Sequence, residues 1–407
     1  MELQTISVPY GTSKQFSCEL DASRIVEIPP SPAPNPELAA QLKKALACPL
    51  DFPPLSHSVI PDDRVVLALD RETPAARELL AGVWEVLEKA GVNPARVTVL
   101  QGASGTNGQA ETGAGILPHP EMNFVAHAPA SEEDCHYLAA TTTGERVYLA
   151  KELLEAEVVI SIGQIAFDAV MGYRGTNSVF YPGLASPGAK AKAAGQGHRE
   201  LGPENERPLR QRVDEIAWLL GTQFAVQVVP ALHGGAAYVL AGQHDSVLRR
   251  GKELVKQHWL VELDYRAEIV VVGVEEDAAG HGWRQIGAAL QTARNLVAKG
   301  GRIVVLSDLD QPPGPGMQIL MQYEDPTEGI RPLRQAAPED LIPATELAEA
   351  VDWADVYLLS RLEADVVEDL FMVPLESEAE VKRLLGLEEQ VLFLASAQHM
   401  FGRIREK

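Results

Sequence analysis

The chain has 407 residues, 46% of them hydrophobic and 6% aromatic, enough for a sizeable core and for two domains. Lys and Arg total 35 against 57 Asp and Glu, and the formal net charge of -22 disfavours nucleic acid and anionic membranes as partners. Cys18, Cys48 and Cys135 form neither a CxxC pair nor an even disulfide framework, and the N-terminus lacks a basic stretch followed by an apolar one. With no apolar run near the roughly 18 residues of a membrane span, the expected setting is the cytoplasm.

The first element is a short helix, "ELAAQLKKALA", flanked by the proline-rich stretches "IPPSPAPNP" (28–36) and "CPLDFPPL" (48–55), which read as extended arms laid over a domain. Buried strands follow at 65–70, 97–102, 158–163 and 224–229, then at 268–274, 302–309, 356–360 and 391–396, each a β-branched apolar run. Between them lie helical patterns. One starts after Thr73-Pro74 and stops at Gly91, with Leu79, Leu80, Val83, Val86 and Leu87 on one face. Others cover 245–258 and the stretch "WRQIGAALQTARNLVAKGG". Alternation of strand and helix predicts an α/β fold with mostly parallel sheets. The expected domains are 1–262, carrying the proline-rich arm, and a smaller 263–407, with a hinge around 260–267.

Four loops follow strand ends, where α/β proteins commonly place their chemistry. "LDRETP" offers Asp70, Arg71 and Thr73 before a helix start; Arg71 could grip a carboxylate, or Asp70 or Thr73 could simply cap the helix. "QGASGTNGQAETGAG" (101–115) is glycine-rich without GxGxxG spacing, and is either a flexible turn or an anion nest. "FDAVMGYRGTNSVFYPGL" (167–184) carries Asp168, Arg174, Asn177 and Ser178 among its glycines. "EEDAAGHGWRQIGAAL" (275–290) brings His281, Arg284 and Gln285 to the start of a long helix. His281 and His198, the latter in "AGQGHREL", read equally as solvated loop residues. No HExxH, GxSxG or GxxxxGK[ST] pattern is present. These residues predict an interdomain site for a small anion and leave the reaction open.

The order of "VPYGTSKQ", "ALDRETPAARELLAGVWEVLEKAGV", "YLAKELLEAEVVISIGQI", "GYRGTNSVFYPGL", "NERPLRQRVDEIAWLLG", "VAKGGRIVVLSDL" and "ADVYLLSRLEADVVEDLFMVPLESEAEV" resembles that of the nickel-dependent lactate racemase family. The resemblance implies a two-domain fold with an interdomain cleft, a nickel-pincer nucleotide cofactor and racemisation or epimerisation of a small 2-hydroxycarboxylate, an isomerase activity. It assigns cofactor contacts to Gly172, Tyr173, Gly175 and Ser178, and substrate contacts to Asp70, Arg71, Thr73, Arg174 and Gln285. It puts the two proton-transfer positions at Ser104 and Asp168 and a nickel ligand at His198.

Three of the positions depart from the family. Ser104 and Asp168 replace the histidines, and Ser178 replaces the lysine that tethers the cofactor through a thioamide; serine cannot make that bond. A further lysine, three residues after the glutamine at Gln285, is Ala288. The family's aspartate-to-proline anion loop is kept only in part, as Asp70, Thr73 and Pro74, with Arg71 at a shifted position. The resemblance therefore implies a diverged active site. The alternatives are a non-catalytic protein that binds a small carboxylate, or a metal-independent enzyme with Asp168 as base.

Overall fold

The computed structural model describes residues 2–103, 113–195, 202–386 and 389–405. They fall into two compact units, one comprising Ala33–Ala231 with Gly235–Val255, the other Met1–Pro32, Leu232–Gly234 and Lys256–Lys407.

The first unit is built on a six-stranded sheet in the order Ala236–Gln243, Phe224–Pro230, Val158–Gln164, Val65–Leu69, Val97–Gly102, Asn123–His127. All its pairings are parallel except that of Ala236–Gln243 with Phe224–Pro230. One face carries Leu67, Leu69, Ile160, Ile162, Val226 and Val228 against Leu42 and Leu46 of the helix Leu38–Ala47 and Leu79, Leu80, Val83 and Leu87 of Ala76–Lys89. Side chains this completely buried each contribute about 1.5–3 kcal/mol of transfer free energy, so this layer holds the unit together. In the helix Ala76–Lys89 the core contact expected of Val86 passes largely to Trp84, because the stripe drifts around a 3.6-residue turn.

The opposite face is different. Ala68, Ser161 and Ala225 share one register level and Gly163 lies opposite Gln227 on the next. These small or polar residues leave room for the segment Gly172–Leu184 to lie close to the strands. Gly175, at φ 119°, marks the approach: a Cβ there would meet Ile165 Cγ1 at 2.8 Å and the Gln164 carbonyl at 2.9 Å.

The second unit has its own parallel six-stranded sheet, ordered Val373–Leu375, Asp355–Leu359, Val297–Leu306, Ala267–Gly273, Val391–Ala395, Ile25–Val26. The residues before the proline-rich stretch join this unit. Leu3–Tyr10 and Lys14–Asp21 form an antiparallel hairpin whose buried Val8, Tyr10, Phe16 and Leu20 join the core made by Ile269, Val271, Val304 and Val391. The N-terminal residues up to Pro32 therefore group with the C-terminal half, and the division at 262/263 expected from the sequence is not where the compact units part. Residues of the expected hinge form a strand instead, Leu260–Leu263, paired with Phe401–Ile404. The helix starting at Trp283 stops at Leu296, since Val297 already pairs with Ala267; "VAKGG" belongs to the next strand.

Candidate functional site

In the first sheet the chain runs from Val65–Leu69 outward to Val97–Gly102 and Asn123–His127, then returns to the other side of Val65–Leu69 with Val158–Gln164. That reversal is a topological switch point, the place at the carboxyl ends of the central strands where open α/β sheets commonly bind ligands. The loop after Leu69 holds Asp70, Arg71, Glu72 and Thr73; the one after Gln164 holds Asp168 and Arg174.

The first loop is folded on itself. Asp70 Oδ1 accepts the Glu72 amide at 3.0 Å, and the buried Thr73 donates its hydroxyl to the Asp70 carbonyl at 2.5 Å. Neither residue caps the following helix, whose N-cap is Ala75 without a side-chain bond. Arg174, expected to meet an anion, is ion-paired with Glu72, both side chains being largely buried. Gln164 Nε2 lies 3.5 Å from the same Glu72 carboxylate. Arg71 is half-buried and makes no hydrogen bond or ion pair with any described residue.

Beneath these groups sit two amides that sequence reasoning passed over. Gln164 and Gln227 are both fully buried, yet Gln164 Oε1 and Gln227 Nε2 have no partner among the described residues. Gln227 Oε1 accepts the Thr176 amide at 3.0 Å. A glutamine inside an otherwise apolar strand, as in "FAVQVVP", was the available signal, because a buried amide is costly unless it is bonded. One level below, Ser161 Oγ lies 3.3 Å from His244 Nε2. Burial pushes the His244 imidazole down to about 4, so it is neutral at physiological pH.

The segment from Ala166 to Leu184 is rigidly tied. Ala166–Asp168 pairs with Gly172–Arg174, and Asp168 Oδ1 accepts the amides of Val170 at 2.9 Å and Met171 at 2.7 Å. Gly172 turns the chain at φ 73°, and a Cβ there would strike the Pro203 carbonyl at 2.4 Å. Tyr173 donates its hydroxyl to Glu204 at 2.5 Å under the ammonium of Lys252, 5.0 Å from its ring. Ser178 is buried and its Oγ accepts the Gly175 amide at 2.9 Å. Arg210 anchors the whole segment: it donates to the Gly175 carbonyl at 3.1 Å and the Thr176 hydroxyl at 3.2 Å, and it is paired with Asp214 at 2.6 Å.

Of the expected site residues, Asp70, Arg71, Thr73, Asp168, Gly172, Tyr173, Arg174, Gly175 and Ser178 all belong to the two loops at this switch point or to the segment continuing from them. Gln285 belongs to the second unit, where it donates to Asp277 at 2.9 Å and accepts the Gly282 amide at 3.1 Å. Ser104 and His198 lie outside the described residues.

An open unit of this kind, with Asp70 and Arg71 in one carboxyl-end loop and a glycine-tied segment in the other, defines a mostly parallel α/β class. Residues 10–194 match the family model of the lactate racemase N-terminal domain. The fold is that of the lactate racemase apoprotein from Thermoanaerobacterium thermosaccharolyticum, with a TM-score of 0.83 at 19% identity over 99% of this chain and 100% of that one. A Thermotoga maritima protein is also similar, with a TM-score of 0.68 at 13% identity, covering 90% of this chain and 98% of that one. No curated protein sequence matches. The chain is thus lactate racemase-like, in its N-terminal domain by sequence and along its length by fold. No described helix is long and apolar enough to cross a membrane.

A thioamide-tethered nickel-pincer nucleotide does not fit Ser178, the residue to which the resemblance assigns its tether. Ser178 has no amine, and its hydroxyl is committed to the Gly175 amide inside the fold. Among the described residues no group of three or more His, Cys, Asp or Glu is arranged to hold a metal ion.

Proposed function

We propose that this protein binds a small 2-hydroxycarboxylate at the switch point of its first sheet and acts on it as an isomerase, a racemase or epimerase, whose chemistry has diverged from the tethered-cofactor mechanism. One observation carries the reading: Arg71 is a half-buried guanidinium with no partner among the described residues, beside the carboxyl ends of the central strands. A planar cation there matches a carboxylate bidentately. Gln227 Nε2 and Gln164 Oε1, a donor and an acceptor lacking partners, suit the polar remainder of such a molecule or a water bridging to it. The net charge of -22 supports a small ligand over nucleic acid or a membrane surface, and three free thiols support a cytoplasmic setting.

A second reading, binding without turnover, is favoured by Asp168. Its Oδ1 is built into a turn by two amides, as expected of a structural carboxylate, whereas a metal-independent isomerase would use this group as its base.

Thermal unfolding of the protein and of Arg71→Ala with D- or L-lactate, malate and 2-hydroxyglutarate tests the site, and polarimetry of the same mixtures tests turnover. Stabilisation of the wild type that is lost in Arg71→Ala supports the binding site. Equal stabilisation of both proteins, or none by any acid, refutes it. Optical rotation that decays only with wild type supports isomerisation; stabilisation without decay selects the binding-only reading.

A further inference from the structure

The second unit contains a hydrogen-bonded group of histidine, carboxylate and serine that the reading above does not use. In its sheet the chain runs from Ala267–Gly273 to Val297–Leu306, Asp355–Leu359 and Val373–Leu375 on one side, then returns with Val391–Ala395 on the other. The switch point of this sheet lies between the carboxyl ends of Ala267–Gly273 and Val391–Ala395. Glu275 follows the first strand and Ser396 the second.

The Glu275 side chain is only 7% exposed, and its carboxylate gathers three donors. His233 Nδ1 lies at 2.8 Å from Oε1, the His233 backbone amide donates to Oε2 at 3.2 Å, and Ser396 donates its hydroxyl to the same oxygen. Both donor residues hold left-handed backbones without being glycine, His233 at φ 58° and Ser396 at φ 53°. Such conformations cost free energy and persist where the surroundings enforce them, commonly at functional sites. Gln398 completes the group, donating to the Glu275 carbonyl at 3.0 Å while its own buried Oε1 has no partner among the described residues.

A carboxylate only accepts, so His233 Nδ1 donates to Glu275, and Nε2 is the ring nitrogen left facing away from it. The His233 side chain is 64% exposed, so the ring is accessible to a ligand while its far edge is fixed by a buried charge. This is how proteins orient a histidine that exchanges protons.

We propose that His233 is a proton-transfer base in the second unit, with Glu275 and Ser396 as its positioning residues, and that it takes the hydroxyl proton of a small hydroxy acid. The ligand class rests on the function proposed above; the His233–Glu275–Ser396 arrangement does not. In the step, the O–H bond of the ligand breaks with its electron pair kept on oxygen as an alkoxide, an Nε2–H bond forms, and the imidazolium is balanced by the Glu275 carboxylate. Return of the proton restores both partners, and no oxidant or reductant is required.

Carbethoxylation with diethyl pyrocarbonate, mapped by mass spectrometry on the full chain, tests the arrangement without any assumed substrate. His233 is expected to react about tenfold faster than the exposed His57 and His136, as suits a ring nitrogen held in orientation by a carboxylate. That advantage is expected to fall away in Glu275→Gln and to survive in Glu275→Asp, with Ser396→Ala as a second variant should Glu275→Gln not fold. A His233 rate no greater than that of His57 and His136, or one unchanged by all three substitutions, overturns the proposal. Saturating lactate, malate or 2-hydroxyglutarate is expected to slow the carbethoxylation of His233 in the wild type and equally in Arg71→Ala; a His233 rate that none of these acids changes overturns the ligand assignment. A protein that no acid stabilises refutes the Arg71 site, whereas the carbethoxylation rates still decide the role of His233.

Discussion

Acidification should destabilise the first unit through His244. Its ring is buried against Phe180 and Ser161, and its pKa of about 4 lies below the ordinary 6.5, chiefly because burial disfavours the charged form. The unfolded chain therefore binds more protons than the native one between those two values, and stability falls as pH drops through that window. With 6.5 unfolded and about 4 folded, linkage costs about 2 kcal/mol on going from about pH 7 to about pH 5, and about 3 kcal/mol by pH 4. The folded state is fully favoured above the unfolded value, where the ring is neutral in both states. Urea denaturation across this range, compared with His244→Gln, isolates the contribution, since other histidines such as His127 are common to both proteins. The wild-type curve should lose this extra stability on acidification and the variant should not. Parallel curves for the two proteins would refute the assignment of a buried neutral imidazole.

Glu72→Gln should leave the Arg174 guanidinium largely buried without its counter-charge and cost about 3 kcal/mol in urea denaturation, with Glu72→Gln/Arg174→Gln recovering part of the loss; additive losses would show that the pair is not coupled. Gly175→Ala puts a Cβ at φ 119° within 2.9 Å of the Gln164 carbonyl, and should lower stability by at least about 2 kcal/mol in the same assay. An unchanged midpoint would mean that the segment does not press on the strand as described.

The strand cores were legible because their signal is local. Runs such as "VVLALD", "VVISIG" and "EIVVVGV" are buried on both faces, so nothing but a central parallel strand suits them, and each occurs within a residue or two of its expected place. The loops after Leu69 and Gln164 were legible for the same reason, since they are the polar, glycine-bearing residues at the ends of those runs. The N-terminal hairpin was not, because half of its residues face outward and its apolar ones bury only against strands hundreds of residues away. Arg174 illustrates a different limit. Its residue type and place suggested an anion contact, but Glu72, in another loop, already neutralises it, while Arg71 next to Glu72 is left without a described partner.

The sequence by itself determined the α/β class, the positions of eight strands and the two polar loops of the first sheet. Only the tertiary structure decided that Gln164 and Gln227 lie buried, each with an atom that has no partner among the described residues, that Asp168 serves a turn, and that His233, Glu275 and Ser396 meet at all. Periodicity along the chain fixes which residues are buried. Which strand ends become neighbours depends on the order in which strands enter a sheet, a long-range property that no local pattern carries.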